Sequence, residues 1–143
     1  MIDTNDAIYK LLTGDTVLRG MLASNSPLFS PSSAKTTANS IVSADMVNRK
    51  LETPFITIQE GNENVVSHRK LQTFYIRCYN DNSKSYIRIN EILDRVRELL
   101  TQNQLALDDR RFVKVINESR MPGLSDEAVD MKFKEERYVI EVL

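Results

Sequence analysis

The chain has few of the residue types that usually reveal a function in a sequence. Its 143 residues include one cysteine, Cys78, one histidine, His68, and no tryptophan. A single cysteine cannot form an internal disulfide, and these two residues are too few to ligate a structural zinc ion. The sequence therefore excludes a disulfide scaffold and a zinc finger.

The chain also lacks an excess of charge of either sign. It has 19 lysines and arginines against 20 acidic residues, a formal net charge of −1. Proteins that hold nucleic acid through counterion release usually have a strong basic excess, so this balance argues against that role. A local basic face remains possible. A chain of this length buries about two thirds of its unfolded surface, which is enough for one domain core.

Long apolar runs are missing as well. No stretch approaches the roughly 20 apolar residues that cross a bilayer. The amino-terminal segment Met1–Lys10 contains Asp3 and Asp6, which is not typical of a secretory signal. We therefore expect a protein that is intracellular where it is made, which does not fix where the finished product is found.

No motif for catalysis or cofactor binding is present. The glycines are scattered, so they do not form a phosphate-binding loop: Gly14, Gly20, Gly61 and Gly123. A nucleophile triad could be built only around His68, which lies in a charged run where a solvated histidine is expected. The carboxylates occur as helix caps or beside basic residues. We predict no catalytic, metal or cofactor-binding residues, no cofactor and no enzyme activity.

The first quarter of the chain predicts two short helices and then a long polar arm. Asp15 is placed to cap the second helix, whose inward residues are expected to be Val17, Leu18, Met21 and Leu22. From residue 23 to residue 50 the sequence is rich in Ser and Thr and poor in apolar residues, which predicts an extended loop or arm. Such an arm is either a surface loop without a role or a segment that orders against a neighbouring subunit.

Two strands and the main helix follow. Phe55–Glu60 is predicted as a strand, residues 61–64 as a turn, and Arg69–Asn80 as a longer strand in which apolar and polar residues alternate. Within that strand Cys78 is interpreted as a small core residue. An amphipathic helix is predicted from Ser85 to Gln102. Its apolar stripe consists of Ile89, Ile92, Leu93, Val96, Leu99 and Leu100.

The last third predicts two more strands. Phe112–Ser119 carries apolar residues on both faces, as a central strand does, and Arg120–Glu127 is predicted as a loop. The final strand, from Val129 to Leu143, buries one face at its start and the opposite face at its end. A bulge or a break within Lys134–Arg137 would explain this change of face.

These elements predict an α+β fold in a single domain covering residues 1–143. A mostly antiparallel sheet of about four strands is expected, with one long amphipathic helix packed on it, short N-terminal helices and the arm at 23–50.

Several stretches in this order resemble the tail completion, or tail terminator, proteins of long-tailed bacteriophages. The stretches are Ala7–Asp15 with Val17 and Leu18, Thr53–Ile58, Phe74–Tyr79 leading to the helix Ile89–Leu100, and Arg137–Val142. The resemblance covers nearly the whole chain and is one of pattern, because the family has no catalytic motif. The arm departs from the family in sequence.

The resemblance implies a structural virion protein of the phage tail, at the head–tail interface or neck, assembled in the host cytoplasm. The family forms a homo-hexameric ring on the head-proximal end of the tail tube, ends tube polymerisation and presents the head–tail joining surface. The implied partners are further copies of the chain, the tail tube protein and a head-completion or connector protein. DNA would pass through the lumen without specific binding, and no membrane is involved.

The arm and the terminal strand are the predicted source of the subunit contacts, the strand by pairing through its edge. The candidate interface residues are Leu28, Phe29, Ile41, Val42, Tyr138, Ile140 and Val142. Two alternatives stay open: a head-closure or neck adaptor subunit that contacts the portal, and a nucleic-acid-binding module.

Overall fold

A computed structural model describes residues 4–22, 41–43, 53–66, 69–102, 105–106 and 112–142. Its helices are α1 (Thr4–Thr13), α2 (Thr16–Met21) and α3 (Ile87–Gln102). Its strands are β1 (Ile41–Ser43), β2 (Phe55–Val66), β3 (Arg69–Asp81), β4 (Leu105–Ala106), β5 (Phe112–Arg120), β6 (Leu124–Asp126) and β7 (Met131–Val142).

One sheet organises the molecule. Its strand order is β1-β2-β3-β7-β5-β4, and β6 pairs with β7 beside the end of β5. Among the four long strands β2, β3, β7 and β5, each adjacent pair is antiparallel. The short strand β1 runs parallel to β2. The predicted α+β class and the four strands are confirmed. The three short strands are additions to that prediction.

Helix α3 lies on one face of the sheet, and the main core fills the space between them. Every residue of the predicted apolar stripe is buried, because residues three and four apart share a helix face. Strand β3 contributes Phe74, Ile76 and Cys78 to the same core, as its alternation predicted. Cys78 is fully buried, and burial raises the pKa of its thiol.

The N-terminal helices pack against α3. The Asp15 carboxylate accepts a hydrogen bond from the Leu18 backbone N–H at 2.8 Å, which confirms the predicted cap of α2. The same carboxylate accepts two hydrogen bonds from Arg95 on α3, at 2.9 and 2.7 Å. The expectation that Val17 faces inward is wrong: its side chain is 55% exposed, because a six-residue helix buries only one side.

Strand β2 is longer than the sequence suggests. The predicted turn at residues 61–64 is wrong, since β2 continues through this stretch and Glu63 and Asn64 pair with β3 after a register shift between Glu60 and Glu63. A Cβ at Gly61 would lie 2.8 Å from the Tyr75 ring, so the glycine permits a close ring–backbone approach. The polar composition of this stretch reflects its exposure rather than a turn.

The predicted bulge in β7 is also wrong. From Met131 to Val142 this strand keeps one uninterrupted register with β3. The change of buried face arises because the sheet buries different faces at its two ends. Met131 and Phe133 join Phe55 and Tyr79 in a second cluster, whereas the even-numbered residues further along face the main core.

Strand β5 lies between β7 and β4 in the strand order, so the predicted central position is confirmed only for the start of the strand. Strand β4 covers only its first two residues, and the register with β7 shifts between Asn117 and Ser119. The predicted loop over Arg120–Glu127 contains β6, and the predicted arm contains β1. The remainder of the arm, residues 23–40 and 44–50, lies outside the described residues.

Candidate assembly surfaces

The structure separates the seven predicted interface residues into three groups. Ile41, Tyr138 and Ile140 are buried in the subunit's own core, so their side chains have no surface to offer a partner. Of the others, Val42 and Val142 occupy positions in β1 and β7. Leu28 and Phe29 lie outside the described residues.

The terminal strand lies inside the sheet. Strand β7 pairs with β3 along its whole length on one side and with β6 and β5 on the other. Both sets of its backbone groups are therefore already in use, and the prediction that this strand pairs with a neighbouring subunit through its edge is wrong.

Two other stretches of strand have one side without a partner among the described residues. Strand β1 pairs only with Ile56–Ile58 of β2, which leaves β2 from Gln59 to Val66 unpaired on that side. On the opposite side of the sheet, β5 has no described partner strand from Lys114 to Arg120. We call these two stretches the β2 edge and the β5 edge. Unpaired edges present rows of N–H and C=O groups that can template the addition of another strand.

Exposed apolar side chains lie along both sides of the sheet. Val65 on the β2 edge is 73% exposed, and Ile116 on the β5 edge is 40% exposed. Leu124 on β6 is exposed next to the β5 edge. Single exposed apolar residues are common on protein surfaces, but these lie on or beside stretches whose backbone has no described partner strand, which makes the two edges candidates for contact with another surface.

The directions of the two edges are complementary. Because β2, β3, β7 and β5 alternate in direction, β2 and β5 run opposite to each other. When copies are related by a rotation about an axis roughly parallel to the strands, each copy keeps its direction. The β2 edge of one copy then meets the β5 edge of the next in the antiparallel sense, which is a heterologous contact.

An ion cluster built around the buried carboxylate of Glu136 includes Arg120 at the end of the β5 edge. The fully buried carboxylate of Glu136 accepts two hydrogen bonds from Arg120, at 3.2 and 3.1 Å. Arg120 also lies 2.9 Å from Asp94 on α3, and Arg97 lies 2.6 Å from the same oxygen. Burial and the adjacent Glu136 raise the pKa of the Tyr138 hydroxyl. The cluster ties β5 and β7 to the helix.

An open pocket of about 490 Å³ lies at the N-terminal end of α3. Pro54, Asp81, Lys84, Ile87 and Arg88 are among its lining residues. It contains opposite charges but no arrangement of nucleophile and base. Within the described ranges no group of three metal-ligating side chains occurs, and no helix is long and apolar enough to span a bilayer.

Comparison with known proteins gives a match in fold to a solved structure. No protein-family model and no curated protein matches the chain. A solved structure described as the virion of a native gene transfer agent particle contains a chain that superposes with a TM-score of 0.65 at 14% identity. The match covers 97% of this chain and 93% of the other. The two chains share a fold.

The sequence contained only a weak signal for the two edges. Strand pairing is a long-range property, so an unpaired side becomes visible only when the strand order is known. Val65 is the exception, because a β-branched residue directly after the polar residues 59–64 is difficult to place in a solvated loop.

Proposed function

We propose that this chain is a structural protein of a phage-type virion, and more specifically a tail terminator. In this role it forms a ring at the head-proximal end of the tail tube, stops tube polymerisation and provides the surface that joins the head. The observation that carries the proposal is the whole-chain likeness in fold to a chain of a gene transfer agent virion. The pattern of residues that resembles tail terminators supports the finer assignment.

The two sheet edges supply a physical route to a ring. Each copy pairs its β2 edge with the β5 edge of the next copy, and a rotation that closes generates a cyclic assembly rather than a filament. Backbone hydrogen bonds provide the contact, while Val65, Ile116 and Leu124 lose exposed apolar surface. The arm residues Leu28 and Phe29 remain proposed as additional contacts between copies.

The first test measures particle mass by light scattering and symmetry by negative-stain imaging of the purified chain. A closed ring, with six copies as in the resembling family, is the expected result. A chain that stays monomeric at high concentration, alone and with tail tube protein, contradicts the proposal.

The second test mixes the chain with polymerising tail tube protein and measures tube length. A terminator caps tubes and shortens them, whereas a head-closure or neck adaptor subunit forms rings without affecting tube growth. In a gel-shift assay with double-stranded DNA, we expect no band shift; tight binding with a steep salt dependence would favour the nucleic-acid-binding alternative.

A further inference from the structure

The start of helix α3 lies at one end of the sheet. Strand β3 ends there at Asp81, and β7 begins there at Met131, since these two residues are paired. Strand β2 begins at the same end, where Phe55 pairs with Tyr79. In the proposed ring the strands run roughly along the axis, so the residues around the start of α3 lie at one axial end of the ring.

The apolar part of this end is built around Tyr86, the residue before α3. A Cβ at Gly123 would overlap the Tyr86 ring, so the glycine permits the turn after β5 to pack directly on the ring. Met121 in the same turn is 40% exposed, and Ile87, the residue after Tyr86, is 67% exposed. Two large apolar side chains are therefore left in solvent next to one packed contact.

Two lysines of β7 lie against the same ring. Lys132 Nζ is 4.7 Å and Lys134 Nζ is 5.3 Å from the centroid of the Tyr86 ring. Lys134 also donates a hydrogen bond to Asn90 Oδ1 at 2.9 Å. Neither ammonium forms an ion pair with a carboxylate in the described part of the chain. Two positive charges held at one ring favour the approach of an acidic group from outside.

The carboxylates next to these lysines in the sequence have other partners. Asp130 Oδ1 accepts a hydrogen bond from Asn82 Nδ2 at 2.8 Å. Glu135 Oε1 accepts one from Arg77 Nε at 2.8 Å, and Glu136 is held by Arg120 as described above. The positive charge at the Tyr86 ring is therefore not neutralised by these neighbours.

The open pocket beside Ile87 adds a hydrogen-bond donor. Asn80 lines this pocket and is 6% exposed. Its side-chain oxygen accepts a hydrogen bond from the Asp81 backbone N–H at 2.9 Å, whereas its amide N–H groups have no partner among the residues that the structure describes. A nearly buried donor that lines an open cavity is satisfied from outside the subunit, by water or by an acceptor on another molecule.

The α3-start surface consists of Tyr86, Ile87, Met121, Lys132, Lys134 and the adjoining pocket. We propose that it is the end of the ring that sits on the tail tube. The last layer of the tube places apolar side chains against Ile87 and Met121 and a carboxylate beside the two lysines. This inference rests on the proposed function as a tail terminator.

The order of assembly selects the tube rather than the head as the occupant. In the proposed function the ring meets the tube first and joins the head afterwards. If Ile87 and Met121 faced the head, they would remain in water in the finished tail, where exposed apolar surface favours unwanted association. On the tube side they are covered as soon as the ring binds.

The first experiment places a charge in the proposed contact. The variant is Ile87→Lys, and Val17→Lys is the matched control because Val17 is 55% exposed on α2. Both should form rings, as measured by light scattering. With polymerising tail tube protein, we expect wild type and Val17→Lys to shorten tubes equally. Ile87→Lys should need at least about tenfold more protein for the same shortening, because its lysine must be desolvated.

The outcomes separate this inference from the function on which it rests. Equal shortening by the two variants overturns the inference and leaves the terminator assignment intact. The inference is also overturned if Ile87→Lys shortens tubes normally but no longer binds the head-completion protein, since the surface then faces the head. Wild-type rings that leave tube length unchanged overturn both the inference and the proposed function.

The second experiment tests the lysines without any substitution. A carbodiimide joins an amine directly to a carboxylate in contact with it. In capped tubes, mass spectrometry should find Lys132 or Lys134 joined to an acidic residue of the tail tube protein, and no such link from Lys10, which is exposed on α1. Links from Lys10 at the same frequency, or none from the two β7 lysines, overturn the inference.

Discussion

At the scale of single residues, Glu136 shows how a buried charge can orient a strand edge. Its carboxylate has no exposed surface, yet Arg120 satisfies both oxygens, and Arg97 approaches to 4.0 Å. Removing one partner of a buried ion pair leaves the other uncompensated in a poorly solvated site.

We expect Glu136→Gln to lower the free energy of unfolding by about 3 kcal/mol, because Arg120 loses its buried charged partner and keeps only the exposed carboxylate of Asp94. The exposed pair of Arg88 and Glu91 provides the control, since Glu91→Gln should change the same quantity by less than about 1 kcal/mol. Urea unfolding of both variants measures the difference. Similar values for the two variants would contradict the structural role given to Glu136.

Ionisation of Asp15 makes the free energy of unfolding fall as the pH is lowered. The hydrogen bonds from Arg95 hold the pKa of its carboxyl below the ordinary value of 3.8. The native state therefore binds this proton less tightly than the unfolded chain does. The resulting stabilisation is complete above the ordinary pKa and is lost as pH falls through the lowered one.

The variant Asp15→Asn should consequently weaken the fall in the urea midpoint between about pH 5 and pH 2, while Asn still caps α2. A matched control is Glu60→Gln on the exposed part of β2, where the side chain forms no ion pair within the described residues. An unchanged pH profile in Asp15→Asn would argue against the link between α2 and α3.

At the scale of elements, helix α3 provides the main apolar layer over the sheet. Ile92 is fully buried, whereas Ile87, one and a half turns earlier on the same helix, is 67% exposed. We expect Ile92→Ala to lower the free energy of unfolding by about 2 to 5 kcal/mol through loss of transfer energy and creation of a cavity. Ile87→Ala should cost far less, and thermal or urea unfolding of the pair tests this.

The elements differ in how well they can be predicted from the sequence. Helix α3 and strand β3 were predicted closely because each has a clean period and buries one face. The bulge predicted in β7 was wrong because Met131 and Phe133 are buried in a second cluster on the opposite face of the sheet. The strand therefore buries different faces at its two ends without an extra residue. The three-residue strand β1 has too few positions to show any period.

The candidate surfaces were harder to predict for a physical reason. Tyr138 and Ile140 are apolar enough for an interface, but a sequence does not reveal whether an apolar residue is buried by its own subunit or by another. The edges depend on strand order, which arises from contacts between residues distant in the chain. Here β7 pairs with β3 and β5, so the last strand is internal.

At the scale of the whole molecule, the proposed ring depends on both edges. We expect Val65→Lys on the β2 edge and Ile116→Lys on the β5 edge each to shift the assembly toward monomers, because a lysine must be desolvated at the new contact. Val17→Lys and Ile87→Lys replace exposed residues of the same types on helices and should leave the rings intact. Light scattering distinguishes these outcomes, and circular dichroism checks that each variant folds.

The arm can be tested without damaging the sheet. Ile41 is a buried part of β1, so a deletion through residue 43 would remove core as well as arm. Deleting residues 24–36 keeps β1 and should weaken ring formation while leaving the unfolding midpoint unchanged. Rings of unchanged stability would remove Leu28 and Phe29 from the set of proposed contacts.

The even number of long strands limits which insertions into the sheet preserve an antiparallel junction between neighbouring subunits of the proposed ring. If a single long strand were inserted into the sheet, the two outer strands would run in the same direction and the junction between neighbours would become parallel. A hairpin inserted at the same place would preserve the junction while widening the circle. Diversification of this architecture toward a larger channel should therefore proceed by whole hairpins.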